Sequence, residues 1–204
     1  MKREIELAHP FSKSGKARLA ATWKACQQVD REGIEGAFVE CGVWRGGNVM
    51  VARWAAPSRQ CWLYDTFNGM TEPSNYDMKR SGELATAKWI GKAAVSVEEV
   101  RRNLCSVGLY NPNEVHIVPG DVRKTLLNQG NLPDNISVLR LDTDFYDSTK
   151  IEMEILYPRL SSGGCLIVDD YGHWLGAKKA VDEYLGANNR LMPIDYTGAW
   201  MTKP

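Results

Sequence analysis

The sequence lacks any long apolar run. Its longest, such as Cys165–Val168, fall far short of the roughly 20 apolar residues a bilayer-spanning helix needs. Residues 1–10 (MKREIELAHP) also lack the apolar stretch of a signal peptide. No membrane partner is therefore expected, and the cytoplasm is the expected location. Charge of one sign is missing too: 25 basic side chains cancel 25 acidic ones, so nothing in the balance would draw the chain to phosphate backbones or anionic lipid, and no nucleic-acid partner is expected. The five cysteines are odd in number and widely spaced, and none forms a C-x-x-C pair, which argues against a disulfide framework. They read as reduced, buried small hydrophobes. No composition shift, repeat or low-complexity tract divides the chain, so residues 1–204 are expected to form one domain.

What is present is an alternation. Short runs rich in β-branched and aromatic residues, at 36–43, 61–67, 115–118, 137–142 and 165–169, predict buried strands. Stretches of helical period lie among them at 47–56, 96–107, 148–160 and 175–185, and a helical segment within residues 1–35 precedes the first strand. Strand and helix in turn predict an α/β fold with a mostly parallel sheet and helices on both faces. Near the end, residues 191–196 and 199–202 flank Thr197-Gly198 and predict a hairpin whose antiparallel strand closes one edge. Residues 69–95 have little periodicity and are long for a connector, which reads either as a lid or as a surface insertion.

In a doubly wound sheet, ligands bind beyond the carboxyl ends of the strands, so the residues there carry the functional information. The first strand runs through Glu40 into Gly42-Val43-Trp44-Arg45-Gly46-Gly47. This is not the G-x-G-x-x-G of a dinucleotide site, and Glu40 would sit poorly beside a pyrophosphate. A carboxylate there suits an ammonium or sulfonium group, and S-adenosylmethionine carries both and no phosphate. Asp65, followed by Thr66-Phe67, is placed to accept hydrogen bonds from ribose hydroxyls, and Asp121 after Gly120 would lie near the adenine. Each signal alone is common; Asp121, for one, could simply cap the next helix.

The fourth strand ends in Asp142-Thr143-Asp144 and the fifth in Asp169-Asp170. Neighbouring strands lie about 4.8 Å apart, and residues two apart on a strand share a face. Carboxylates so crowded cannot all stay ionised unless a cation joins them or protons do. An oxygen-only set selects a hard ion, Mg2+ or Mn2+, over zinc. In the plainer reading Asp144 caps a helix and Asp170 forms a turn. His173 follows the cluster closely and is a second candidate base, and Tyr76, Trp89 and Trp174 are either packed or platforms for a sugar ring.

The segments VECGVWRGG, LYDTFNGM, VSVEEVRRNL, LRLDTDFYDST, LYPRLSSGG and IVDDYG occur in this order between about residues 36 and 200. In them the sequence resembles the macrocin O-methyltransferase (TylF-type) family. The resemblance implies a class I methyltransferase, Rossmann-like fold with a seven-stranded sheet, S-adenosylmethionine as donor, and magnesium. It implies metal ligands at Asp142, Asp169 and Asp170 and a general base at Asp144. Cofactor contacts are implied at Glu40, Gly42, Asp65 and Asp121, and at Ser96, with their neighbours Val43, Trp44, Thr66, Phe67 and Gly120. The expected acceptor is a sugar or glycoside, with the ion lowering the pKa of the hydroxyl and Asp144 taking its proton. The region before Gly36 is only weakly similar; in the family this region serves substrate closure or oligomer contacts, which admits a homo-oligomer. The rivals are a metal-dependent phosphate-ester hydrolase, a nicotinamide oxidoreductase and a catalytically silent binding protein.

Overall fold

The computed structural model describes residues 1–204. Seven strands form one sheet in the order β3-β2-β1-β4-β5-β7-β6. They are β1 (Ala37–Cys41), β2 (Cys61–Asp65), β3 (Val115–Pro119), β4 (Ile136–Leu141), β5 (Leu160–Val168), β6 (Met192–Pro193) and β7 (Ala199–Thr202). The first five run parallel, and β7 pairs antiparallel with both β5 and β6. The expected mixed sheet is thus present. It differs from the sequence pattern in two strands. β5 begins earlier, because Ser161–Gly164 is too polar and glycine-rich to look like a buried strand. β6 is only two residues long, because Asp195 accepts from the amides of Thr197 and Gly198 and turns the chain early.

Pleating sorts the strand side chains onto two faces. On one, Phe38, Val138 and Ile167 pack with α2 (Lys16–Arg31), α3 (Gly47–Ala55) and α4 (Val97–Ser106). On the other, Val39, Leu139 and Val168 pack with α5 (Val122–Thr125), α6 (Tyr146–Ile155) and α7 (Leu175–Leu185). A short α1 (Lys2–Ala8), which has no clear signal in the sequence, buries Ile5 and Ala8 in the first core. No helix is long and apolar enough to cross a membrane.

The topological switch falls between β1 and β4, whose carboxyl ends lie side by side. There the backbone ladder continues one step past the strands. Gly42 donates to Tyr64, Asp142 to Cys41, Asp169 to Leu141 and Gly120 to Asp65, each at 2.8–2.9 Å. These bonds bring the carboxyl ends of all five parallel strands to one rim.

Candidate active site

Above this rim lies a cleft of about 260 Å3. On one side it is lined by Glu40, Gly42, Val43, Trp44, Asp65 and Thr66, with Gly120 and Asp121 beyond them, and on the other by Asp142, Asp144, Asp169 and Asp170. Gly42 has φ +84°, and a Cβ there would fall 2.1 Å from the carbonyl oxygen of Asp142, so only glycine lets β1 turn so close to β4.

Most charged groups at the floor of the cleft share the pleat face of Phe38. Arg140 is fully buried; it donates to Glu40 at 2.9 Å, to Asp142 at 2.7 Å and to Asp169. One oxygen of Glu40 is thereby satisfied, and the other, Oε2, is buried without a partner. Burial pushes Glu40 up to about 8, against the pull of Arg140. Asp169 is held differently. Its Oδ1 accepts from Ser14 and Arg140 and its Oδ2 from Arg18. Burial raises its carboxyl, but the two guanidiniums outweigh burial and keep it below the ordinary carboxylate value.

Asp142, Asp144 and Asp170 offer oxygens that all lie within 4.8 Å of one another. Simple alternation along β4 does not explain this, because the strand stops at Leu141. Asp144 instead takes φ +68°, a left-handed conformation costing a non-glycine residue on the order of 1 kcal/mol or more. Burial pushes Asp144 up to about 7, with Asp142 and Asp169 adding to it and a hydrogen bond with Asp170 opposing. Asp142 and Asp170 are raised well above the ordinary value by burial and by their acidic neighbours. Such a group binds protons or a cation, and oxygen donors of this kind match a hard divalent ion.

Other expected residues serve local structure as well, or sit elsewhere. The Asp65 carboxylate accepts from the amides of Val43 at 2.7 Å, Trp44 at 3.1 Å and Phe67 at 2.8 Å, so it fixes the glycine-rich turn. Asp121 caps α5 and pairs with Arg123. Ser96 caps α4 through Glu99 and does not line the cleft, and Phe67 lies in the first core. His173 is also outside the cleft, with Nδ1 3.1 Å from the Tyr196 hydroxyl. Trp89 and Trp174 pack edge to face at 5.2 Å, and Tyr76 packs on Tyr146 at 4.6 Å; none of the three lines the cleft. Sequence reasoning missed Arg140, Arg18 and Ser14. Only Arg140 left a signal, a lone charge in an otherwise apolar strand.

The sequence profile of the Macrocin-O-methyltransferase (TylF) family matches residues 6–203. This chain belongs to that family. It is therefore an S-adenosylmethionine-dependent O-methyltransferase, and the hydrolase, oxidoreductase and silent-protein readings fall away. A relative in Streptomyces olivaceus, 8-demethyl-8-(2,3-dimethoxy-alpha-L-rhamnosyl)-tetracenomycin-C 4'-O-methyltransferase, is 34% identical, with the match covering 91% of this chain and 73% of that one. Demethyldecarbamoylnovobiocin O-methyltransferase of Streptomyces niveus is 33% identical over 95% of this chain and 76% of its own length. Among solved structures, the O-methyltransferase NovP superposes with a TM-score of 0.78 at 33% identity, covering 93% of this chain and 80% of that one. In this macrocin O-methyltransferase family member, the unpartnered Glu40 Oε2 fits the donor's ammonium group, and the glycine-rich turn fits the close approach of its backbone.

Proposed function

We propose that this methyltransferase acts on a hydroxyl of a sugar or glycosylated small molecule and requires a divalent cation, Mg2+ or Mn2+. The observation that carries this reading is the meeting of Asp142, Asp144 and Asp170 in the same cleft as Glu40 and the glycine-rich turn. The acceptor class is supported by the relatives, one named for a rhamnosyl tetracenomycin and one for demethyldecarbamoylnovobiocin.

Asp142 and Asp170 would hold the ion; Asp169, expected as a third ligand, is not in their cluster and would join them only by giving up Arg18, while Arg140 stays in place. When bound, the ion would draw charge from the acceptor hydroxyl and ease its ionisation. Glu40 Oε2 would accept from the donor's ammonium group. Asp65 keeps Val43 and Trp44 in the turn that would lie along the donor, and Asp121 would face its adenine end. Asp144 takes the acceptor's proton. The acceptor oxygen forms its bond to the methyl carbon as the carbon–sulfur bond breaks, with the electron pair returning to sulfur, and alignment of the two substrates supplies most of the acceleration. His173, outside the cleft, has no part in this scheme.

The test is methyl transfer from labelled S-adenosylmethionine to a panel of sugars, glycosides and catechols, with and without a chelator. Glycosides should be labelled, the chelator should abolish labelling, and Asp144→Asn should lower turnover by about 10²–10⁴-fold while leaving donor binding nearly intact. Labelling unaffected by chelator would remove the metal from the scheme.

A further inference from the structure

Two buried carboxylates outside the acidic cluster have no part in this scheme, and both bear on the turn that carries Asp144. Glu152 on α6 is fully buried, and its Oε1 accepts from the Thr143 hydroxyl at 2.9 Å. Asp77, from the 69–95 segment, is also fully buried. Its Oδ1 accepts from the backbone amide of Tyr146 at 2.7 Å, and its Oδ2 accepts from the amide and hydroxyl of Ser74 at 2.6 and 2.9 Å. Phe145, which precedes α6, offers no capping side chain, so the first turn of the helix is capped from the loop instead. A Cβ on Gly176 would fall 1.9 Å from Asp77 Oδ1, so α7 leaves just enough room for this carboxylate. Backbone pairing of Arg80 with His173 and of Leu175 with Met78, each at 2.8 Å, fastens the segment beside it.

We propose that Asp77 and Glu152 are positioning residues that hold Asp144 from both sides in its left-handed conformation. Thr143 is fixed on one flank of Asp144 and the Tyr146 amide on the other, so the residues between them have little freedom to relax. Without either anchor the turn can return to an ordinary backbone region, and the Asp144 carboxylate then leaves Asp142 and Asp170. In this view part of the 69–95 segment is a fixed wall of the active site, not a door. The role rests on Asp144 as the proton acceptor.

The experiment compares Asp77→Ala and Glu152→Ala with the near-isosteres Asp77→Asn and Glu152→Gln, in wild-type and Asp144→Asn backgrounds. The readouts are kcat, acceptor KM, the pH profile of kcat and calorimetric binding of S-adenosylmethionine. Each alanine variant should lose about 10²-fold in kcat, the scale expected for a misplaced reacting group, with donor affinity unchanged. Glu152→Gln, which keeps an acceptor oxygen for Thr143, should recover most of kcat, and Asp77→Asn, which keeps an acceptor for the Tyr146 amide but sets its NH2 against the Ser74 amide, should recover part of it. In the Asp144→Asn background the alanine changes should cost nothing further. A lower melting temperature with wild-type kcat, or a loss that multiplies with that of Asp144→Asn, would overturn the positioning role. Full activity of Asp144→Asn itself would overturn the base assignment. Should Asp77→Ala fail to accumulate as folded protein, the Glu152 pair decides the matter alone.

Discussion

Arg140 is the largest of the fully buried side chains, and it is charged at any pH the fold survives. Its guanidinium faces Glu40, Asp142 and Asp169, so it keeps three carboxylates tolerable in the interior before any ligand arrives. Replacing it by leucine strands Glu40 and Asp169 without that partner, and breaking a buried pair from one side costs about 3–5 kcal/mol. Urea unfolding of Arg140→Leu should show a loss of that size, and Arg140→Lys, which supplies a point charge without the fork, should restore only part of it. The acidic residues of the site were legible in the sequence because they punctuate strand ends. Their counter-charges were not. Arg18 lies on a helix that precedes the first strand, and nothing in its neighbourhood points across 151 positions to Asp169.

Among the elements, the β1–α3 connection leaves little room for change. Gly42→Ala would place a methyl group against the Asp142 carbonyl and force a side chain onto a positive φ. A loss of roughly 1–3 kcal/mol is expected from the strain. Because the same turn faces the cleft, calorimetry should also show weakened binding of S-adenosylmethionine. The parallel strands and the helices covering them could be read from periodicity, since burial imposes a repeat on the residues that share it. The 69–95 segment could not, because it is held by individual groups: Asp77 at α6, the Thr66 hydroxyl on the Gly69 carbonyl at 2.6 Å, and Lys79 paired with Glu83. Contacts of that kind have no period. The helical start of α6 was misplaced for a related reason, as its cap is supplied by a residue far away in sequence.

For the whole molecule, the buried acids set how stability follows pH. Burial pushes Glu40 and Glu152 up to about 8 and Asp144 to about 7, all above the values these groups have in an unfolded chain. The folded protein therefore keeps protons that the unfolded one has released; the contribution to stability is full below about pH 4, declines as pH rises above that and is gone once pH has passed about 7 to 8. Scanning calorimetry in chelator should show the melting temperature falling from about pH 5 to about pH 8 and levelling off above that. Mg2+ should flatten the fall by taking the place of protons in the acidic cluster, and Glu152→Gln should remove part of it. Distant parts of the chain meet in this site as well. The guanidinium of Arg18 grips Asp169 with one nitrogen and Asp195, at 3.2 Å, with another. A chain emerging from the ribosome can thus pair its parallel strands before Arg18 gains its second carboxylate, which waits for the hairpin of β6 and β7 to come within reach of the second helix.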